Sequence, residues 1–191
     1  MSIKKLMSIK KNNKGFTLIE LLAVIVILGV LMIIAVPMVT QYIASSKRSA
    51  FIATAKAYVS GARYAYLNED YSCGASIDTG SGGVIIVPFD QIKVDKNNGK
   101  SSFSQDIKNS YVIIESDSSG KYSYYVRMVD AGGNGFNQAI DEDYIKKSSV
   151  KIKGANSNLE IPKSGEITVT DKNGSSKKIT ISGVCTLDTG E

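Results

Sequence analysis

The stretch from Lys14 to Leu22 reads KGFTLIELL and separates two very different parts of the chain. A leader with five lysines ends at Gly15, and an apolar run begins at Phe16 and continues to Val39. Glu20 is the one charged residue inside that run. Because a carboxylate near the end of a membrane span costs free energy, its presence there calls for a specific role.

The apolar run is long enough to cross a membrane. As a helix, residues 16–39 would extend roughly 36 Å, more than the hydrocarbon core of a bilayer. An ordinary secretory signal has a shorter apolar region of about 7–15 residues followed by a cleavage site, so a signal peptide cut after Ala44 is the weaker alternative. The basic leader predicts that this end of the chain stays on the cytoplasmic side.

The positive charge of the chain belongs to the leader. The 191 residues include 23 lysines and arginines against 18 acidic residues. Without the five leader lysines, 18 basic and 18 acidic residues remain from Phe16 onward. The charge of the body therefore gives no support for a nucleic-acid partner.

The composition also limits the chemistry. The chain contains no histidine, which excludes histidine-based catalytic triads and histidine metal sites. Two widely separated cysteines do not make a zinc site. We therefore predict no enzymatic activity, no cofactor and no metal.

The helix is predicted to continue past the membrane segment to Leu67. The segment after Val39 is rich in alanine and free of proline. Apolar residues recur there at steps of three or four, as expected for one face of an amphipathic helix: Ile43, Phe51, Ala55, Tyr58, Ala62 and Tyr66. Pro37 removes one backbone donor and should kink the helix or allow local melting. Close packing is the simplest interpretation of Gly61.

From about Asn68 the pattern changes to short β-type runs separated by polar turns. The candidate strands are GVIIVPF, SYVIIES, YSYYVRMV, SVKIK, EITVT and KKITISGV. SDSSG and DKNGSS are predicted hairpin turns. The alternation predicts an antiparallel sheet with one face against the helix, an α+β fold. The glycine-rich loop from Asp130 to Gln138 is predicted to be exposed.

KGFTLIELL followed by an apolar helix that contains Pro37 resembles the amino-terminal signature of type IV pilins and the related pseudopilins. The resemblance implies that a prepilin peptidase cuts between Gly15 and Phe16 and methylates the new amino terminus of Phe16. It implies that the chain has four parts. Residues 1–15 are a leader that the peptidase removes, residues 16–39 are the transmembrane and polymerisation half of the helix, residues 40–68 are its amphipathic half, and residues 69–191 are a β-rich head.

The resemblance gives Glu20 a role in assembly. Cleavage creates an amine at Phe16, and the Glu20 carboxylate of one subunit can meet the Phe16 amine of a neighbour when subunits stack. Such an ion pair fixes the register of packed helices. The alternative is that Glu20 has no role in assembly, and that its carboxyl group only reaches toward the membrane interface or is protonated there.

The function implied is that of a structural subunit of a pilus-like filament. It would be inserted in the cytoplasmic membrane with its head outside, and then join copies of itself and other pilins through the pilus assembly machinery. A pseudopilin of a type II secretion or DNA-uptake system is the first alternative. A membrane-anchored binding protein that does not polymerise is the second.

The two cysteines are predicted to form one disulfide. A head outside the membrane is exposed to oxidising conditions, and Cys73 and Cys185 allow a single intramolecular pairing. The bond resembles the carboxy-terminal clasp common in type IV pilins, although here it would enclose nearly the whole head. Two separate buried thiols are the alternative.

Overall fold

The computed structural model describes residues 15–75, 77, 82–94 and 99–188. The chain divides into two units, residues 1–43 and residues 44–191. Helix α1 runs without a break from Leu18 to Leu67, so the helix predicted for residues 16–67 is confirmed apart from its first two positions. The predicted leader lies outside the described residues, except for Gly15.

A Schellman motif closes the carboxy-terminal end of α1. The amide of Asp70 donates to the carbonyl of Ala65 at 2.9 Å, and the amide of Glu69 donates to the carbonyl of Tyr66 at 3.2 Å. Glu69 has a φ of 58°, in the left-handed region that glycine usually occupies at this position. The helix therefore ends with this geometry although the sequence provides no glycine there.

Eight strands form one sheet in the order β1-β8-β2-β3-β4-β5-β6-β7. Their bounds are β1 Tyr71–Cys73, β2 Gly83–Pro88, β3 Ile107–Ser116, β4 Tyr122–Asp130, β5 Ala139–Asp141, β6 Gly165–Thr170, β7 Ser176–Ile181 and β8 Gly183–Leu187. The sheet is mostly antiparallel, and with α1 it confirms the predicted α+β, pilin-like class. The β2–β8 and β5–β6 pairings are parallel and depart from the predicted antiparallel arrangement. In both pairs, the part of the chain between the two strands is long, so no tight turn forces them to be antiparallel.

Both faces of the central strands are buried, whereas the sequence predicted burial of one face. One face packs against α1 and contributes Ile85, Val87, Val112 and Ile114 to the core. The opposite face packs against the β6–β7 hairpin and contributes Val84, Ile86, Tyr111 and Ile113. Continuous apolar runs such as VIIV in β2 are typical of strands that are covered on both sides.

The predicted apolar stripe of α1 is confirmed over most of its length. Phe51, Ala55, Tyr58 and Ala62 are buried, and Tyr66 packs against the same core. Ile43 is 47% exposed and belongs to the first unit, so its assignment to the stripe was wrong. A Cβ at Gly61 would lie 2.8 Å from Cγ2 of Ile92, which supports the close-packing interpretation.

Both predicted hairpin turns are confirmed, and an aspartate organises each of them. Asp117 Oδ1 accepts the amides of Ser119 at 2.8 Å and Lys121 at 3.0 Å. Asp171 Oδ1 accepts the amides of Asn173 at 2.9 Å and Ser175 at 2.8 Å. Aspartate favours such turns because its short side chain reaches the backbone two to four residues ahead.

Two of the predicted strands differ in the structure. SVKIK, residues 149–153, is irregular, and Lys151 forms only an isolated bridge with Gly135. KKITISGV is divided into β7 and β8 by Ser182, whose amide donates to the carbonyl of Val84 at 2.7 Å. The strands β1 and β5 were missed because three residues are too few to show a period.

The loop from Asp130 to Gln138 is largely buried at its centre, which contradicts the predicted exposure. Phe136 is fully buried in the core beside α1, and Asn134 is buried as well. The carboxylate of Asp130 accepts the amides of Gly132 at 3.0 Å and Asn134 at 2.9 Å. Gly135 is required because its φ is 149° and a Cβ there would lie 2.2 Å from the carbonyl oxygen of Met128.

Cys73 and Cys185 form a disulfide bond. The two residues lie directly opposite each other in the antiparallel β1–β8 pairing. Cys185 is fully buried, and Cys73 packs against the core next to α1. The bond therefore joins the segment that follows the helix to the last strand of the sheet.

Candidate processing and assembly site

Gly15, Phe16 and Thr17 precede the first turn of α1 in a non-helical segment. The side chain of Phe16 is 91% exposed. A Cβ added at Gly15 would meet no atom of the described residues within 4 Å, and the φ of Gly15 lies outside the left-handed region. Within the described part of the chain, neither packing nor backbone conformation therefore requires a glycine at position 15.

Thr17 and Glu20 cap the first turn of α1 reciprocally. The backbone amide of Thr17 donates to Glu20 Oε2 at 2.8 Å, and the Thr17 hydroxyl donates to the same oxygen at 2.8 Å. The amide of Glu20 donates in return to Thr17 Oγ1 at 3.3 Å. This is a capping box, in which threonine at the N-cap and glutamate three residues later satisfy each other's backbone donors.

The geometry of the capping box does not depend on the peptide bond that precedes Phe16. All three hydrogen bonds join atoms of Thr17 and Glu20, and both residues lie after the predicted cut. Every hydrogen bond that Glu20 accepts within the described residues uses Oε2. The second carboxylate oxygen, Oε1, is left without a hydrogen-bond partner in the part of the chain that the structure describes.

The side chains of residues 16–43 are exposed in the single chain. They include long runs of leucine, isoleucine and valine, with exposures of about half or more at Leu18, Ile19, Ile33 and Met38. Within the described residues, α1 is the one helix that is long and apolar enough to cross a membrane. An apolar surface of this extent marks a region that contacts lipid or another protein.

Pro37 lies inside α1, and the helix is continuous on both sides of it. Proline has no amide hydrogen, so the carbonyl of Ile33 has no helical donor. The Thr40 hydroxyl donates to the Pro37 carbonyl at 2.9 Å, one turn farther on. Local melting at Pro37 is not seen in this structure, and a kink there stays a prediction.

The site residues predicted from the sequence fall in three places. Gly15, Phe16 and Glu20 lie together around the first turn of α1, Pro37 lies within the helix, and the two cysteines are bonded in the head. Sequence reasoning missed Thr17 as the capping partner of Glu20. The signal was present, because T-L-I-E matches the capping-box spacing of a threonine followed three residues later by a glutamate.

A comparison with protein families decides the nature of this segment. Residues 10–36 match the family model described as the prokaryotic N-terminal methylation motif. The chain carries the signature of type IV pilins and pseudopilins. No curated protein and no solved structure shows significant similarity to the chain.

The methylation motif covers the predicted cleavage site, Glu20 and most of the predicted membrane segment. It is a structural, pilin-type signature and not that of an enzyme family. It implies processing by a prepilin peptidase and assembly with other pilins. The motif does not extend into the head, whose strands and disulfide are described by the structure alone.

Proposed function

We propose that this protein is a structural subunit of a type IV pilus-like filament. The subunit is inserted in the cytoplasmic membrane with its head outside, cut between Gly15 and Phe16, and methylated at the Phe16 amine. It then polymerises through residues 16–39 of its helix, with the assembly machinery moving it from membrane to filament. The observation that carries this proposal is a methylation motif whose glutamate is held at the first turn of an otherwise apolar, uncovered helix.

The arrangement of Glu20 supports a role in assembly. Its Oε2 completes the capping box, while Oε1 has no partner within the described residues and can accept a hydrogen bond from the Phe16 amine of a neighbouring subunit. The carboxylate also lies at the positive end of the helix dipole, which favours its charged form. Thr17 thus holds the glutamate in place without occupying both of its oxygens.

The surroundings of Gly15 support recognition by another protein. Because nothing in the described part of the chain requires a glycine at this position, we assign the requirement to the peptidase, whose active site must approach the backbone closely. We expect a bulky residue at position 15 to leave an uncut precursor in the membrane.

Three substitutions test the role of Glu20 and separate its charge from its capping bond. Glu20→Val removes both, whereas Glu20→Gln keeps an oxygen for the Thr17 amide and removes the charge. Thr17→Val removes the threonine hydroxyl and keeps the charge. All three variants should still enter the membrane and be cut after Gly15, which mass spectrometry of the membrane fraction would show.

We expect Glu20→Val and Glu20→Gln to form few or no filaments when each is the only subunit, as counted by electron microscopy. Thr17→Val should form filaments in reduced number, because the carboxylate is present but less well positioned. Filaments of normal number and length from both Glu20 variants would contradict the proposed ion pair. Normal filaments from Glu20→Gln alone would assign the role of Glu20 to helix capping.

A further inference from the structure

Asp141, the last residue of β5, is a buried acid whose carboxylate is only half satisfied. The residue is 7% exposed, and none of the ion pairs formed among the described residues includes it. Its Oδ1 accepts the amide of Asp143 at 2.9 Å, whereas Oδ2 has no hydrogen-bond partner in the described part of the chain. Oδ2 is not enclosed by the protein, so a molecule from solvent can reach it.

Two further carboxylates lie near Asp141, and neither forms an ion pair within the described residues. They belong to Asp143, two residues farther along, and to Asp171, at the start of the β6–β7 turn. Burial raises the pKa of Asp141 above 3.8, and the negative charges of Asp143 and Asp171 act in the same direction. Because a charge taken out of water without an opposite charge is costly, a cation beside Asp141 would be stabilising.

A cavity of about 290 Å³ lies beside Asp141 and is open to solvent. Its walls combine tyrosine rings with the three carboxylates: Tyr122, Tyr124, Tyr125, Asp141, Asp143 and Asp171. Tyr124 and Tyr125 are buried, whereas Asp143 is exposed at the edge of the cavity. The volume is close to the lower end of the ~300–1,000 Å³ typical of ligand pockets, so it suits a small molecule.

We propose that this cavity binds a small organic cation with a primary ammonium group, which pairs with Asp141 Oδ2 and whose carbon chain contacts the tyrosine rings. An ammonium group has three donors, and its hydrogen bonds to a carboxylate are stronger than neutral ones. A cation near the face of a tyrosine ring is attracted further. A metal ion is disfavoured, because no three acidic side chains among the described residues are arranged to hold one.

Lys172 is the cation within the chain that competes with such a ligand. It lines the cavity, and its positive charge opposes the rise in the pKa of Asp141. Its ammonium group nevertheless does not come within 4.0 Å of the carboxylate, and the side chain is exposed, so solvent weakens the attraction. Lys177, also at the edge, is paired with Glu115. The site is independent of the pilin proposal, because it uses residues of the head alone.

The test is isothermal titration calorimetry of the full chain in detergent micelles, with n-butylammonium as the probe and 1-butanol as its neutral counterpart. Titration of each compound into micelles without protein corrects for its uptake by the detergent. We expect one saturable site for butylammonium and binding of butanol that is weaker by about tenfold or more, which corresponds to ~1.4 kcal/mol. Lys172→Gln should tighten the binding of butylammonium, and calcium should not displace it.

Asp141→Asn is the decisive variant, because its amide oxygen can still accept the Asp143 amide while the negative charge is removed. It should keep the near-ultraviolet circular dichroism of the folded head and bind butylammonium about tenfold less tightly, or ~1.4 kcal/mol. Asp143→Asn changes an exposed residue of the same cavity and should weaken binding by a smaller factor without affecting the fold. Glu160→Gln removes an exposed carboxylate that does not line the cavity, so this control should bind as the wild type does.

Four results would each overturn the proposal. These are equal binding of butylammonium and butanol, no saturable binding at millimolar concentration, displacement of the probe by calcium, and binding that neither Asp141→Asn nor Asp143→Asn weakens.

Discussion

At the scale of single residues, Glu20 caps the first turn of α1 and is also the proposed contact with a neighbouring subunit. Its Oε2 accepts two hydrogen bonds from Thr17 and its amide donates to the Thr17 hydroxyl, so the backbone donors of Thr17 and Glu20 are satisfied at the start of the helix. This local function explains why the carboxylate is held at the helix start even in a single chain. The proposed contact with a neighbouring Phe16 amine uses the same group without dismantling the cap.

A second residue-level feature is the strain at the end of α1. Glu69 has a left-handed conformation, which costs a residue other than glycine about 1–2 kcal/mol. A glycine at this position would remove that strain, but it would also lose more conformational entropy on folding, which offsets part of the gain in stability. We expect Glu69→Gly to raise the stability of the head by about 0.5–1 kcal/mol. The midpoint of thermal unfolding should rise by about 2–4 °C per kcal/mol.

Glu69→Ala is the matched control, because it removes the same side chain and keeps the strained backbone. Near-ultraviolet circular dichroism of the tyrosines in the head would follow unfolding of both variants. A lower midpoint for Glu69→Gly than for Glu69→Ala would contradict the assignment of strain to this position.

The processing and assembly site at the start of α1 could be predicted from the sequence, because its residues are close together in the chain. The glycine, the glutamate and the apolar run all lie within one short segment, so their arrangement follows from helical geometry. The T-x-x-E spacing is also typical of the capping box, although that role of Thr17 was missed. The cavity beside Asp141 could not be predicted in this way, because its walls come from β4, β5 and the β6–β7 turn.

At the scale of elements, the contact between α1 and the sheet includes a partly buried ion pair. Arg63 of α1 pairs with Glu142, which follows β5, and its guanidinium also lies 4.2 Å from the centre of the Tyr124 ring. Burial raises the pKa of Glu142 above 4.5, and the positive charge of Arg63 opposes part of that change. Burial likewise raises the pKa of Asp141 above 3.8.

These pKa changes predict how the stability of the head depends on pH. A carboxyl group with a raised pKa binds its proton more tightly in the folded state, so its contribution to stability falls as pH rises from the unfolded to the folded pKa. We therefore expect the head to become more stable as pH is lowered from 7 toward about 4.5. The Ser119 hydroxyl lowers the pKa of Asp117, so the contribution of Asp117 to the stability of the head is lost as the pH falls below 3.8.

Glu142→Gln should reduce the gain in stability on acidification, measured as the midpoint of urea unfolding at several pH values. Glu166→Gln removes a carboxylate from an exposed ion pair with Lys178 and serves as the control. If the stability of the wild-type head fell steadily as the pH was lowered from 7 to 5, the inferred cost of burying Glu142 and Asp141 would be contradicted.

The sequence predicted the elements of the fold better than their arrangement. Long periodic or continuous segments, such as α1, β3 and β4, were identified because each carries enough residues to show its pattern. The parallel pairing of β2 with β8 could not be predicted, since strand direction is set by distant connections. The burial of Phe136 within a glycine-rich loop was missed because glycine content indicates turns and gives no measure of depth.

At the scale of the whole molecule, the disulfide links the start of the head to its end. Cys73 and Cys185 are 112 residues apart in the sequence, and β1 is a three-residue edge strand. By the chain-entropy model, closing a loop of about 100 residues stabilises a protein by about 4–5 kcal/mol, less any strain. We expect the double variant Cys73→Ser, Cys185→Ser to unfold at a markedly lower temperature.

Mass spectrometry of alkylated, non-reduced protein from freshly isolated filaments would test the bond directly. A disulfide gives a mass about 2 Da below that of the dithiol and no alkyl adducts. Two freely alkylated cysteines would show that the thiols are separate in the assembled protein.

The amino-terminal peptide of the filament-bound protein tests most directly whether this chain is processed as a prepilin and then assembled. Tandem mass spectrometry of that peptide should show a chain that begins at Phe16 with one methyl group on its amine. All five leader lysines should be absent. A filament protein that begins at Met1, or one that begins near Ser45 after loss of the apolar segment, would contradict the claim.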